Sequence, residues 1–258
     1  MPLRTDLLLF AAGLVASLVN AAAGGGTLLS FPALLAVGLS PIAANATSTV
    51  GLLTGYVAST AEYRREVGEL RGELLATVLP SIAGGAFGAW LLLHLGGAFF
   101  ARIVPALLIG AALLLLAQPL LARLVHKRAR GEHPAAIMVG IFVISIYGGY
   151  FGAGAGILFL AAMGLIYARD LSQVNAIKVF VSLIANVIAA ASFIALEIAH
   201  PSGALHFRAA APLAVGAIAG GFLGARFAKR LPPAALRTFA ACVGLAIAIY
   251  FIVRQTRS

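Results

Sequence analysis

Apolar stretches about twenty residues long alternate with short charged gaps from one end of the chain to the other. The stretches fall near 6–23, 42–61, 74–95, 98–122, 135–153, 171–198, 207–228 and 234–254. A helix rises about 1.5 Å per residue, so about 20 residues cover the hydrocarbon core of a bilayer. Each stretch therefore predicts a membrane-crossing helix. Two further apolar pieces, 27–38 and 157–168, are too short for a full crossing, and each follows a glycine cluster. They predict broken or re-entrant elements. Such backbone survives at membrane depth only inside protein or beside a water-filled cavity. The expected fold class is all-α, a polytopic transmembrane helical bundle of about eight full spans plus two short segments.

The gaps sharpen this picture. Residues 62–73 carry Glu62, Arg64, Arg65, Glu66, Glu69, Arg71 and Glu73 and predict a solvated loop. Pro201, Ser202 and Gly203 predict a break after 171–198, and Pro232 with Pro233 predicts the last turn. Residues 123–134 form a basic central loop, which divides the chain into a first repeat, 1–122, and a second, 135–258. A shift of about 130 positions aligns these halves. Gly24 and Gly26 fall on Gly154 and Gly156, and Asn45 and Ala46 on Asn175 and Ala176. With a slightly larger shift, Ala83, Gly84, Gly85, Gly88 and Ala89 fall on Ala219, Gly220, Gly221, Gly224 and Ala225. Repeats that each carry a Gly-interrupted short segment are a signature of secondary transporters. If the short pieces count as crossings, each half has five and the second is inverted. The central loop is then cytoplasmic and both termini lie outside. If they do not cross, each half has four spans and the repeats are parallel. Charge bias allows both, and the inverted arrangement is preferred.

Composition narrows the solvent. Of 258 residues, 62% are hydrophobic and only 10% charged, against about 25% charged in soluble domains. The net charge of +10 sits between apolar stretches, at Arg123, Lys127, Arg128, Arg130, Arg226, Lys229, Arg230 and Arg237. That placement fits cytoplasmic loops held by the positive-inside rule and argues against a nucleic-acid partner. The single cysteine, Cys242, forms no intrachain disulfide and predicts no metal site. Arg4 before an apolar run resembles a signal peptide. Ala21, Ala22 and Ala23 lead instead into Gly residues and more apolar chain, so this run is read as the first membrane helix.

Candidate chemistry centres on Lys178, inside the apolar run 171–198. An ammonium at the bilayer centre costs at least about 3 kcal/mol, and it persists where it faces a cavity, a partner or a ligand. One reading is a positive charge for an anionic substrate. The other is a snorkelling lysine, since it lies about 10 Å into its helix. The clusters Gly24, Gly25, Gly26 and Gly152, Gly154, Gly156 allow a helix start with unpaired N–H groups, which suits an anion. They also suit tight helix packing. Asn45 and Ser48, and with less weight Thr47 and Thr49, offer hydrogen bonds to an oxyanion or between helices. Asn20, Asn175, Ser182 and Asn186 are further polar groups in apolar runs. Lys178, Ser182 and Asn186 share one helix face by spacing. Glu62, His94, Glu197 and His200 sit near span ends. Glu62 and Glu197 are the first candidates for proton coupling if transport is proton-driven. Enzyme motifs are missing, and no cofactor is expected.

The stretch from Asn20 to Ser48 reads NAAAGGGTLLSFPALLAVGLSPIAANATS. It resembles the first repeat of the TauE/SafE sulfite exporter family. The runs GGYFGAGAG from Gly148, NAIK from Asn175 and AGGFLGAR from Ala219 resemble its second repeat. The resemblance spans nearly the whole chain. It implies export of a small sulfur-containing or organic anion, such as sulfite, sulfoacetate or another sulfonate. The family's second repeat often has hydroxyl residues before the lysine. Here Val174 to Lys178 keeps the lysine without them, which points to a different or bulkier anion. The expected protein is therefore a secondary anion transporter of the cell inner membrane, working by alternating access in a lipid bilayer, with a homodimer as a candidate assembly. A passive anion channel and a non-transporting membrane scaffold are the alternatives.

Overall fold

A computed structural model describes residues 2–22, 24–128, 134–166, 171–201, 203–227 and 233–255. Ala23, the centre of the basic loop (129–133), Asp170, Ser202, Lys229, Arg230 and Pro232 lie outside the described residues. The described residues are helical in ten elements. These are α1 (Leu3–Ala22), α2 (Thr27–Ala36), α3 (Pro41–Glu62), α4 (Arg64–Glu69), α5 (Arg71–Arg128), α6 (Pro134–Tyr150), α7 (Ala155–Ile166), α8 (Leu171–Ala199), α9 (Phe207–Phe227) and α10 (Pro233–Gln255).

Four of these, α1, α5, α8 and α9, contain segments both long and apolar enough to cross a membrane. Their outer faces carry residues such as Leu79 and Ile198, 74% and 72% exposed, while Lys178 is buried. That is the inverse of a water-soluble protein and suits lipid as solvent. α5 is two helices joined at Gly96, where φ is 76° and ψ 169°. This left-handed region favours glycine, and the joint falls where the apolar runs 74–95 and 98–122 abut. Ser40 caps α3, accepting from the Ala43 N–H at 3.4 Å, with Pro41 at the first helical position.

The segment 62–73 departs from the expected loop. It contains the one-and-a-half-turn helix α4, with α5 already under way at Arg71. Arg65 and Glu69 pair one turn apart at 3.1 Å, an arrangement that supports helix over coil in a charged stretch.

Packing exchanges helices between the two halves of the chain. α9 lies on α1 and α3, and the first part of α5 lies on α6 and α8. Glycines make both approaches. A Cβ on Gly216 or Gly220 would strike the carbonyls of Phe10 or Leu14 on α1, and one on Gly84 or Gly88 those of Phe142 or Ile146 on α6. Gly221 meets Gly55 of α3, and Gly85 meets Ala185 of α8. Small residues let backbones touch where lipid supplies no hydrophobic drive for association. At the far side α10 packs on α2, and the second part of α5 on α7.

Candidate functional site

α1 and α6 each end near the middle of the bundle, and α2 and α7 begin there. The two breaks touch. Gly24, at φ 86°, has no room for a Cβ, which would stand 2.8 Å from the Gly156 backbone. Gly156 is equally tight, with the Gly24 Cα 2.7 Å from its missing Cβ and the Lys178 side chain at 3.4 Å. Gly152 and Gly154 take the same left-handed turn at φ 76° and 78°. The break after α6 is fixed by the Tyr147 hydroxyl, which donates to the Ala153 carbonyl at 2.6 Å.

Where a helix stops, its last carbonyls have no partner within the helix. Here a residue from the opposite half supplies one at each break. The Lys178 ammonium donates to the Ala21 carbonyl at the end of α1, at 3.1 Å. The Asn45 side-chain amide donates to the Tyr150 carbonyl at the end of α6, at 2.9 Å. Lys178 is 2% exposed, and among the described residues no carboxylate pairs with it. An ammonium carries three N–H groups, so one carbonyl does not saturate it.

Lys178 faces a small enclosed cavity, shared with Ser17, Asn20, Tyr56, Gly156 and Ser182. Its volume open to the centre of a water molecule is about 10 Å³, roughly one water's worth. Asn20 accepts from the Gly26 N–H at 3.5 Å, which orients the start of α2 toward the site. The Tyr56 hydroxyl interacts with the side chains of Asn20 and Asn186, and Asn186 also donates to the Ser182 carbonyl at 2.8 Å. Sequence reasoning did not single out Tyr56. Its signal was its place on the polar face of α3, one turn from Ser59 and two from Ser48.

The expected site residues thus fall into two groups. Lys178, Asn20, Ser182 and Gly156 surround the cavity, with Gly24 and Gly26 directly behind it and Asn186 reaching in through Tyr56. The others lie elsewhere. Gly25 abuts Leu115 and Gly154 abuts Ala111, both on α5. Ser48 and Ser30 share a hydrogen bond of 2.6 Å. Asn175 is half-buried, one turn before Lys178. Thr47 accepts from the His206 N–H at 3.1 Å, and Thr49 donates to the Asn45 carbonyl at 3.0 Å. Glu62 ends α3, away from the cavity lining. The Glu197 carboxylate accepts from the N–H groups of Gly203 and Ala204, each at 3.0 Å, and so ties down the loop after α8.

On the Ser48 side the space is filled. Phe31 stacks edge-on to Phe100 and Phe151, with ring centres 6.4 and 5.6 Å apart, and Tyr150 packs against Phe100 at 5.7 Å. A small polar slot beside a buried ammonium thus lies where the two helix breaks meet. The sequence profile described as sulfite exporter TauE/SafE matches residues 9–251. The chain belongs to that family.

Curated relatives agree at the level of a membrane transporter. The chain is 31% identical over 176 residues to the probable membrane transporter protein YfcA of Escherichia coli strain K12, a match covering 68% of this chain and 64% of the relative. It is 26% identical over 248 residues to the probable membrane transporter protein ORF9 of a Sinorhizobium species, covering 96% and 92%. A probable membrane transporter protein of Haemophilus influenzae is 26% identical over 231 residues, covering 88% and 87%. No solved structure matches the chain. This member of the TauE/SafE family is a multi-pass membrane protein.

Proposed function

We propose that this chain is a secondary transporter exporting a small sulfur-containing or organic anion, such as sulfite, sulfoacetate or another sulfonate, across the inner membrane. The observation that carries the reading is Lys178, a buried ammonium without a carboxylate partner at a closed polar cavity. In a low-dielectric interior a bound anion offsets the cost of burying that charge. The slot's donors are the remaining Lys178 N–H groups and the hydroxyls of Tyr56 and Ser182, with Gly156 on its wall at the start of α7, where the helix dipole is positive. Glu62 and Glu197 remain the candidates for proton coupling.

The reciprocal packing supports two structural repeats, which we read as inverted, with α2 and α7 counted as crossings and five segments in each half. It also suggests what moves. Because α9 belongs by packing with α1 and α3, and the first part of α5 with α6 and α8, alternating access would shift two mixed bodies against each other. They would slide where α3 crosses α8 and where Gly24 meets Gly156. A cysteine cross-link between α3 and α9 at positions other than their contact glycines, inside one body, should leave transport running. One between α3 and α8 should stop it. The opposite result would show that the sequence halves are the moving units.

The direct test uses purified protein and a panel of sulfite, thiosulfate, sulfoacetate, taurine and simple carboxylates. A transported anion should raise the melting temperature, and flux into proteoliposomes should saturate. Unsaturated flux would indicate a channel. No stabilisation and no flux with any of them would remove the anion reading.

A further inference from the structure

A second cavity opens on the membrane-facing side of the molecule, where α3, α4, α5 and α8 meet. It has a volume of about 510 Å³ and lies outside the Lys178 site. Its rim carries Arg64, at the start of α4, and Arg71, at the start of α5. Its wall is apolar, with Val57, Leu75, Phe180 and Leu183. We propose that this groove binds an anionic phospholipid, with the headgroup phosphate between Arg64 and Arg71 and an acyl chain along the apolar wall.

Three observations carry the assignment. The first concerns charge. The neighbouring arginine, Arg65, is engaged by Glu69 at 3.1 Å, and Glu66 accepts from the Ser172 hydroxyl at 2.8 Å. Arg64 and Arg71 have no carboxylate partner among the described residues, and no acidic side chain lines the groove. Two guanidinium groups at one rim form a fork-shaped donor set suited to phosphate oxygens.

The second concerns depth. The arginines sit in the charged segment between two apolar helices, the level of the lipid headgroups, and the apolar wall descends from them. Val57 and Leu75 are 52% and 62% exposed, so the groove opens sideways into acyl chains. A soluble anion would meet the same arginines but make no use of that wall. A zwitterionic lipid would bring its own cation to the guanidinium pair, cancelling part of the attraction.

The third concerns space. Gly68 lies on the groove between the two arginines, and no atom comes within 4 Å of where its Cβ would be. Room is therefore left at headgroup level rather than closed by packing. Each basic residue at an anionic surface contributes about fivefold in lipid affinity, so the pair gives roughly twenty-five-fold preference over a neutral headgroup. The inference is independent of the transport reading and survives its failure.

The test uses the full chain in neutral detergent, titrated with phosphatidylglycerol, phosphatidylcholine or inorganic phosphate. Lipid retention is read by native mass spectrometry and stability by melting. Phosphatidylglycerol should be retained and should raise the melting temperature, with phosphatidylcholine doing neither. The double variant Arg64→Gln, Arg71→Gln should bind phosphatidylglycerol at least about tenfold more weakly while melting like the parent without lipid. Gly68→Leu, which fills open space and should fold normally, should also reduce retention. Equal retention of the two lipids would overturn the proposal, as would full retention by the Gly68→Leu variant. Inorganic phosphate reproducing the stabilisation would reassign the groove as a soluble-anion site.

Discussion

The ends of α1 and α6 present the same structural problem and receive different answers. Each leaves carbonyls unpaired deep in the bundle, and each is met by a side chain from the opposite half. At α6 a neutral amide, Asn45, is enough. At α1 the residue is Lys178, which adds a full charge to a site 2% exposed. Asn45 shows that capping needs no charge. The ammonium is more than the cap requires, at a burial cost the amide avoids. The surroundings differ to match, with a polar slot beside Lys178 and packed aromatic rings near Asn45. Two sides alike in backbone are therefore unlike in chemistry, and the charged side is where we propose that the anion binds.

The most severe test of this contrast is Lys178→Gln, which keeps a donor for the Ala21 carbonyl and removes the charge. Flux per folded molecule should fall about thirtyfold to several-hundredfold, corresponding to roughly 2–4 kcal/mol for a buried charge contact, with melting little changed. Unaltered flux would reduce Lys178 to a cap. Asn45→Leu should do the reverse. It strands the Tyr150 carbonyl and should lower stability by about 1–3 kcal/mol, with flux per folded molecule within about threefold.

The glycine rows probe the shared backbone. Gly220→Val against α1 and Gly88→Val against α6 should each destabilise by about 1–3 kcal/mol through overpacking, read as loss of folded protein in detergent. A large difference between them would mean that the two sides are not equivalent scaffolds. Tyr56→Phe removes one hydroxyl from the slot. It should weaken apparent substrate affinity about fivefold, in line with roughly 1 kcal/mol for a hydrogen bond. The smallest effect belongs to Ser48→Ala on the packed side, where transport assays should register less than a twofold change.

The helix boundaries were legible because hydropathy and glycine placement are local signals. The runs at 74–95 and 98–122 meet at Gly96, and Ser40 with Pro41 marks the start of α3. α4 was hidden because charged residues suit a loop and a helix equally. What Lys178 and Asn45 touch was not legible at all. Their partners, Ala21 and Tyr150, lie 157 and 105 positions away and are backbone carbonyls, which carry no mark in the residue code. The Gly84–Gly88 and Gly220–Gly224 matches pointed to a repeat but not to the exchange of close packing between halves. Nor did composition distinguish Arg64 and Arg71 from Arg65, since only their surroundings separate a paired arginine from an unpaired one.

The crossing of α9 onto α1 has a consequence for biogenesis. The ribosome makes α1 before α9, and the surface that accommodates it on Gly216 and Gly220 is about 200 residues away, so α1 waits in the bilayer without that partner until α9 is made. Nascent chains should accordingly stay sensitive to membrane proteases until α9 emerges. Genes split at the central loop should give two fragments that accumulate when co-expressed and are degraded when made alone. Stable accumulation of residues 1–128 by themselves would mean that the first half assembles without waiting.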